Sequence, residues 1–347
     1  MRIAHVAPVA TSIPPPKSGS IELMTSLLTE GLVARGHDVT LFATGDSTTK
    51  ATLHATFPRG YRHDPTMWPW EMYEMLNLAA AVECAREFDI IHYEAEYYPM
   101  SLAFSRLSAA PILQTLHHAP NDAELDLWRR YPDVPFVAIS NDQARLLTGV
   151  RVVGTVLHGI DTDNFAFRER PDDYLLFLGR FTEGKGVLQA IDVARRVGMR
   201  LILAGGLNGA EGQYYHDVIE PHVDGTAITY FGEADFAAKV QLYGGARALL
   251  YPVQAREPFG LVLAEAMACG TPVATLDRGA VQEVVDDGLT GIIFPDLDQM
   301  VGGLPRVLAL DRRRVRERAV ARFGADRMVD EYVAVYRKLV ETNDARR

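Results

Sequence analysis

The chain has 347 residues, long for one core and suited to two domains of ordinary size. Its composition, 48% hydrophobic and 23% charged, is that of a soluble globular protein and excludes a disordered chain. A formal charge of −10 argues against a general affinity for nucleic acid or anionic membrane, and no apolar run approaches the ~20 residues of a membrane span.

In chain order, residues 2–8 (RIAHVAP) predict a buried strand of the parallel-sheet kind. A proline loop leads to a helix over 20–35, whose Ile21, Met24, Leu27, Leu28 and Leu32 recur at helical spacing. A strand over 38–43 completes a strand–helix–strand unit, the repeat of a doubly wound α/β sheet. Residues 44–71 read as an irregular insert. A helix over 71–87 follows, with strands at 88–93, 112–116, 136–139 and 151–157, and with Ser140 as a helix N-cap. The charged stretch 166–173 (AFRERPDD) has no apolar pattern and is expected to be the interdomain linker. A second series then runs strand 174–178, helix 187–197, strands 200–204 and 227–231, helix 234–244 and strand 248–251. A late strand at 292–294 precedes helices over 304–310, 312–323 and 325–342. Cys84 and Cys269, in apolar helix-like settings, read as reduced core thiols. One positive charge followed by a strand and prolines is not a signal peptide, so the cytoplasm is the expected compartment.

The chemistry concentrates at 251–275 (YPVQAREPFGLVLAEAMACGTPVAT). A loop carrying Glu257 opens a helix from about 260 to 269 that holds Glu265, with Gly270 and Pro272 as its stop. The N–H groups of Phe259, Gly260 and Leu261 at the helix start suit an anion, while a carboxylate beside them repels phosphate and suits neutral hydroxyls. Two glutamates alone would read as surface charges; the coincident PFG turn and helix stop favour a sugar-diphosphate site. Between a strand and a helix, LGRFTEGKG sets Arg180 and Lys185 on a glycine-rich loop, the pairing of cations and N–H donors that a diphosphate needs. It lacks the spacing of a Walker loop.

The first loop, PPPKSGSIE, lacks the G-x-G-x-x-G fingerprint and disfavours a nicotinamide enzyme. Gly19 and Ser20 there either cap the helix, with Glu22 as first-turn acid, or meet the diphosphate or acceptor. His117 in QTLHHAP ends a strand, where open α/β sheets bind ligands, and suits a sugar hydroxyl. Tyr93, Glu94, Glu96, Tyr97 and Tyr98, with Trp68 and Trp70, are an aromatic and acidic set suited either to an acceptor pocket or to core packing.

The succession MRIAHVAP, SGSIE, FDIIHYE, QTLHH, HGID, LGRFTEGKG, EPFGLVLAEAMACGTPVA and GLTGIIFPD resembles the retaining glycosyltransferases of family 4, with their E-x7-E signature. The resemblance implies a GT-B fold: two Rossmann-like doubly wound domains facing a cleft, with the C-terminal helix crossing back to the first. The expected domains are 1–168 (acceptor side), 169–325 (donor side) and 326–347 (returning helix). It also implies that Arg180 and Lys185 bind the donor phosphates, Glu257 the sugar hydroxyls and Glu265 the ribose. Phe259, Gly260 and Leu261 would add main-chain contacts, His117 would lie by the transferred sugar, and Gly19 would contact phosphate or acceptor. Where the family usually has a second glycine, this chain has Ser20.

The reaction expected is transfer of a hexose, from UDP-glucose or a close relative, to a hydroxyl of a small molecule or glycan. No metal or other cofactor is expected, the catalytic set being His117, Glu257, Arg180 and Lys185. The alternatives are a nucleotide-sugar epimerase or phosphorylase of the same fold, or a non-catalytic sugar-nucleotide binder. Donor-only product analysis, a demand for phosphate or pyridoxal phosphate, and slow turnover with every acceptor would respectively mark these.

Overall fold

Short, wholly apolar strands need both faces covered, and in a computed structural model each lies in a parallel sheet flanked by helices. The structure describes residues 1–17, 19–95 and 99–344. It divides into one unit of Met1–Gly159 with Ala325–Arg347, and a second of Ile160–Gly324.

The first unit holds β1 (Arg2–Val6), β2 (Asp38–Thr44), β3 (Thr52–Phe57), β4 (Ile90–Ala95), β5 (Ile112–Leu116), β6 (Pro135–Ala138) and β7 (Arg151–Thr155). They form one sheet in the order β3-β2-β1-β4-β5-β6-β7, with every pairing parallel. The second unit holds β8 (Leu175–Leu178), β9 (Leu201–Ala204), β10 (Ile228–Gly232), β11 (Ala248–Tyr251), β12 (Val273–Leu276) and β13 (Gly291–Phe294). Their order is β10-β9-β8-β11-β12-β13, again parallel. Strand order reverses between β1 and β4 in one sheet and between β8 and β11 in the other. At such switch points loops diverge from the strand ends and leave room for a ligand.

Several expectations change. The segment read as an irregular insert contains β3, an edge strand whose residues (TLHATF) stay half exposed and so carry no apolar run. The helix expected at 304–310 begins earlier, at Leu297–Leu308, where Asp296 caps it by accepting the Gln299 N–H at 2.8 Å. The domain division lies at 159/160 and 324/325 rather than at 168/169 and 325/326. The charged stretch 166–173 is no free linker. Arg312 Nε donates to the Arg168 carbonyl at 2.9 Å, and Arg313 donates to the Glu169 carboxylate at 2.7 Å and covers the Phe167 ring at 5.8 Å.

The last helix, Ala325–Asp344, belongs to the first unit. It buries Met328, Val329, Tyr332, Val333, Tyr336 and Leu339, a stripe at helical spacing, and Arg35 reaches Asp330 at 2.6 Å. Cys269 is buried, Cys84 is half buried, and both are free thiols. Among the described residues no helix is long and apolar enough to cross a membrane.

Candidate functional site

In the second unit the predicted residues gather at the carboxyl ends of β8 and β11, on the switch point of that sheet. β8 runs out through Gly179 and Arg180 into the turn Glu183–Lys185, and Gly186 then starts the helix Val187–Val197. The N–H groups of Gln254 and Ala255 donate to the Gly184 carbonyl at 2.8 and 3.0 Å, so the loops after the two strands are joined. Gly186 has φ 78°, and a Cβ there would run into the Pro252 carbonyl; the contact admits only glycine.

This closure carries Lys185 Nζ to 2.6 Å from Glu257 Oε2 and 2.9 Å from the Tyr251 hydroxyl. Tyr251, the last residue of β11, also donates to Glu257. Glu257 is buried, and its carbonyl accepts the Ala280 N–H at 2.8 Å. Gly260 follows in the left-handed region as the residue before the helix Leu261–Ala268, which is a residue shorter at each end than expected. The Phe259 side chain is buried against Phe323, so only its main chain is placed to meet a ligand. The Leu263 N–H is taken by the Gly260 carbonyl at 3.0 Å, while the N–H groups before it have no intrahelical acceptor, which leaves the start of this helix suited to an anion.

Glu265, inside that helix and buried, accepts from the Tyr243 hydroxyl at 2.7 Å and from Lys239 Nζ at 3.3 Å. Each predicted glutamate thus has one lysine and one tyrosine. Burial, with the neighbouring carboxylate, pushes both Tyr251 and Tyr243 well above the ordinary phenol range, so both stay protonated donors. Arg180 and Lys185, the pair expected to bind the donor phosphates, each face a carboxylate, Arg180 Nε lying 3.5 Å from Glu211 and remaining 63% exposed on its side chain.

The first unit carries its own cluster at its switch point. His117, directly after β5, places Nε2 2.7 Å from Glu94 Oε2. Glu94 Oε1 lies 3.2 Å from His5 Nε2 and 3.5 Å from His92 Nε2. His5 and His92 are register partners on β1 and β4 with stacked rings. His5 Nδ1 meets Thr29 at 2.7 Å, while His92 meets Thr115 and the Tyr336 hydroxyl, each at 2.7 Å. Burial holds His92 and His158 down to about 3, and Glu94 is held well below the carboxylate range despite burial, by His92, His117 and His5. Glu94, His5 and His92 have a spacing that would suit a metal ion. Both nitrogens of each ring, however, already have hydrogen-bonding partners, and the arrangement reads as a closed network. His118, by contrast, bonds Glu124 at 3.0 Å and packs edge-on against Trp128, a supporting role.

Gly19 precedes the helix Ser20–Ala34 without a side-chain cap, and its carbonyl accepts the Leu23 N–H at 3.0 Å. The first-turn acid Glu22 is buried, with Arg62 at 3.5 Å. The described members of the aromatic and acidic set do not gather in one pocket. Tyr93 is in the core, Glu94 joins the histidines, the Trp70 ring lies tilted 5.6 Å from that of Tyr61, and Trp68 is 73% exposed. Glu96, Tyr97 and Tyr98 lie outside the described residues. Sequence reading passed over His5, His92, His158, Lys239, Tyr243 and Tyr251. Lys239 and Tyr243 stand four apart on the helix Phe236–Gly245, a legible pair. The His5–His92 pairing requires the strand register.

Residues 161–322 match the model of glycosyl transferases group 1, and residues 21–164 match that of glycosyltransferase family 4. The chain is 27% identical over 360 residues to a phosphatidyl-myo-inositol mannosyltransferase of Mycobacterium tuberculosis, covering 92% of this chain and 90% of the relative. It shares its fold with the sucrose-phosphate synthase of Thermosynechococcus elongatus (TM-score 0.80, 19% identity, 99% of this chain and 100% of that one). HepE of Anabaena, solved with UDP and glucose, also shares it (TM-score 0.72, 19% identity, 99% of both chains). Two parallel Rossmann-like sheets, the switch-point clusters and both family matches agree: the chain is a glycosyltransferase of GT-B fold and belongs to the family-4 type.

Proposed function

We propose that the protein is a retaining glycosyltransferase that moves a hexose from a nucleoside-diphosphate sugar to a hydroxyl of a small molecule or glycan. The observation that carries this reading is the Lys185–Glu257–Tyr251 cluster at the start of the Leu261–Ala268 helix, with Glu265 buried four residues into it. Phosphate oxygens entering at the helix start would meet N–H donors and draw Lys185 and Arg180 from their carboxylates. Glu257, so released, accepts sugar hydroxyls, and Glu265 the ribose hydroxyls. Charge on the departing diphosphate is then met by cations and helix dipole, without a metal ion. The acceptor attacks from the face the phosphate leaves, and a phosphate oxygen takes its proton.

UDP-glucose is the first donor to test, since HepE was solved with it. A mannosyl donor is the second reading, favoured by the mannosyltransferase relative. Two free cysteines support a reducing compartment such as the cytoplasm.

Thermal-shift screening with nucleotides and nucleotide sugars identifies the donor, because a ligand that binds the folded state stabilises it. Proton NMR of the first-formed glycoside then tests the mechanism. An α-linked donor should give an α-linked product in the presence of EDTA, and His117→Ala should slow the reaction without changing the anomer. A β-linked product, or activity lost in chelator and restored by manganese, would overturn the reading.

A further inference from the structure

We propose that Glu94 is a positioning residue for His117, fixing the proton on Nε2 and leaving Nδ1 as a hydrogen-bond acceptor toward substrate. The inference rests on the transferase reading only for what meets Nδ1. The proton on Nε2 follows from the geometry.

Glu94 is 2% exposed at the end of β4, and its two oxygens do different work. Oε1 is taken by the His5–His92 pair, and Oε2 is left for His117 Nε2 at 2.7 Å. An ionised carboxylate only accepts, so His117 Nε2 must donate. Among the described residues no partner meets His117 Nδ1. His158 stacks on the His117 ring at 5.3 Å, and the His158 carbonyl is held by Arg327 of the last helix at 2.9 Å. Glu94 is supported from the other side. Behind it His5 is held by Thr29, and His92 by Thr115 and Tyr336, with Thr115 in turn 2.9 Å from the Tyr332 hydroxyl. Carboxylate–histidine pairs of this kind set which ring nitrogen is free, and a partner one shell removed typically matters roughly 10- to 100-fold in activity.

Long-range ¹H–¹⁵N NMR of the full chain, with His117→Ala for assignment, reads the tautomer without substrate. The neutral ring should show a pyrrole-like Nε2 and a pyridine-like Nδ1. In Glu94→Gln that preference should weaken, kcat should fall roughly 10- to 100-fold with the donor KM unchanged, and the same change should cost little in a His117→Ala background. Glu94→Asp keeps the charge but withdraws it by one methylene, and its kcat should fall between wild type and Glu94→Gln. Should Glu94→Gln fail to fold, the wild-type spectrum and Glu94→Asp decide. A proton on Nδ1 in the wild type, or a Glu94 variant whose kcat loss is undiminished without His117, overturns the proposal. A wrong assignment of the transferred sugar leaves the ring spectrum standing, so the two failures separate.

Discussion

At the scale of single residues, carboxylates in this protein are already engaged before any ligand arrives. Lys185→Ala removes the cation from Glu257, which is buried and would keep only the Tyr251 hydroxyl. We expect a stability loss of about 1–3 kcal/mol by chemical denaturation, the cost of an under-satisfied buried group. Turnover should fall about 100-fold, as when one stabilising donor is removed from a developing charge. Full activity in Lys185→Ala would free that lysine from any role with the donor. Glu265→Gln keeps shape and an acceptor for Tyr243 but leaves Lys239 without its counter-charge. Calorimetry with the preferred nucleotide alone should show weaker binding. If affinity is unchanged while the melting temperature drops, Glu265 is a packing residue that pins the Phe236–Gly245 helix.

At the scale of elements, what places the donor-side residues is the join between the loops after β8 and β11. The Val187–Val197 helix offers an internal comparison, because it is bounded by glycine at both ends in the left-handed region, Gly186 at φ 78° and Gly198 at φ 69°. Gly198 has open space where a Cβ would go, so Gly198→Ala should cost only the conformational penalty, about 1 kcal/mol, and leave donor affinity intact. Gly186→Ala adds a collision with the Pro252 carbonyl. It should destabilise by at least about 2 kcal/mol and weaken donor binding, since Lys185 moves with the loop. Equal effects of the two substitutions, compared by denaturation and donor titration, would mean that the loop join is soft.

At the scale of the whole molecule, acid should act first on the unit that holds the buried histidines. His92 and His158 are held to about 3 by burial, far below the ordinary histidine value near 6.5. Their folded forms are neutral while the unfolded chain takes up protons, so stability is full above about pH 6.5 and is lost as pH falls toward 3. Each proton taken up on unfolding contributes at most about 1.4 kcal/mol per pH unit. Glu94, depressed below its unfolded value, adds loss of the same sign once pH falls below the ordinary carboxylate range. Calorimetric melting from pH 7.5 to 5 should therefore show little change above about pH 6.5 and a decline below it, with net proton uptake on unfolding. A flat profile over that interval would mean that these histidines protonate in place. The last helix is part of this balance, because Tyr336 bonds His92, Tyr332 bonds Thr115 and Arg327 holds the His158 carbonyl.

The sequence by itself determined the local and the periodic. Strands such as LLFL and ALLY need burial on both faces, the loop-to-helix grammar around Gly186, Gly260 and Gly270 follows from backbone sterics, and Arg180, Lys185, Glu257 and Glu265 stood out by spacing. Those readings use interactions within a few residues, where chain geometry alone sets who meets whom. Tertiary structure decided the partners. Lys185 is 72 residues from Glu257, Glu94 is 89 from His5, and Tyr336 is 244 from His92. Strand order and register bring such pairs together, and neither is encoded in spacing. The same holds for the division at 159/160: a charged stretch reads as linker until arginines of a distant helix take up its Arg168 carbonyl and Glu169 carboxylate. Side chains bearing unlike chemistry become one site only when the sheet places their strand ends side by side.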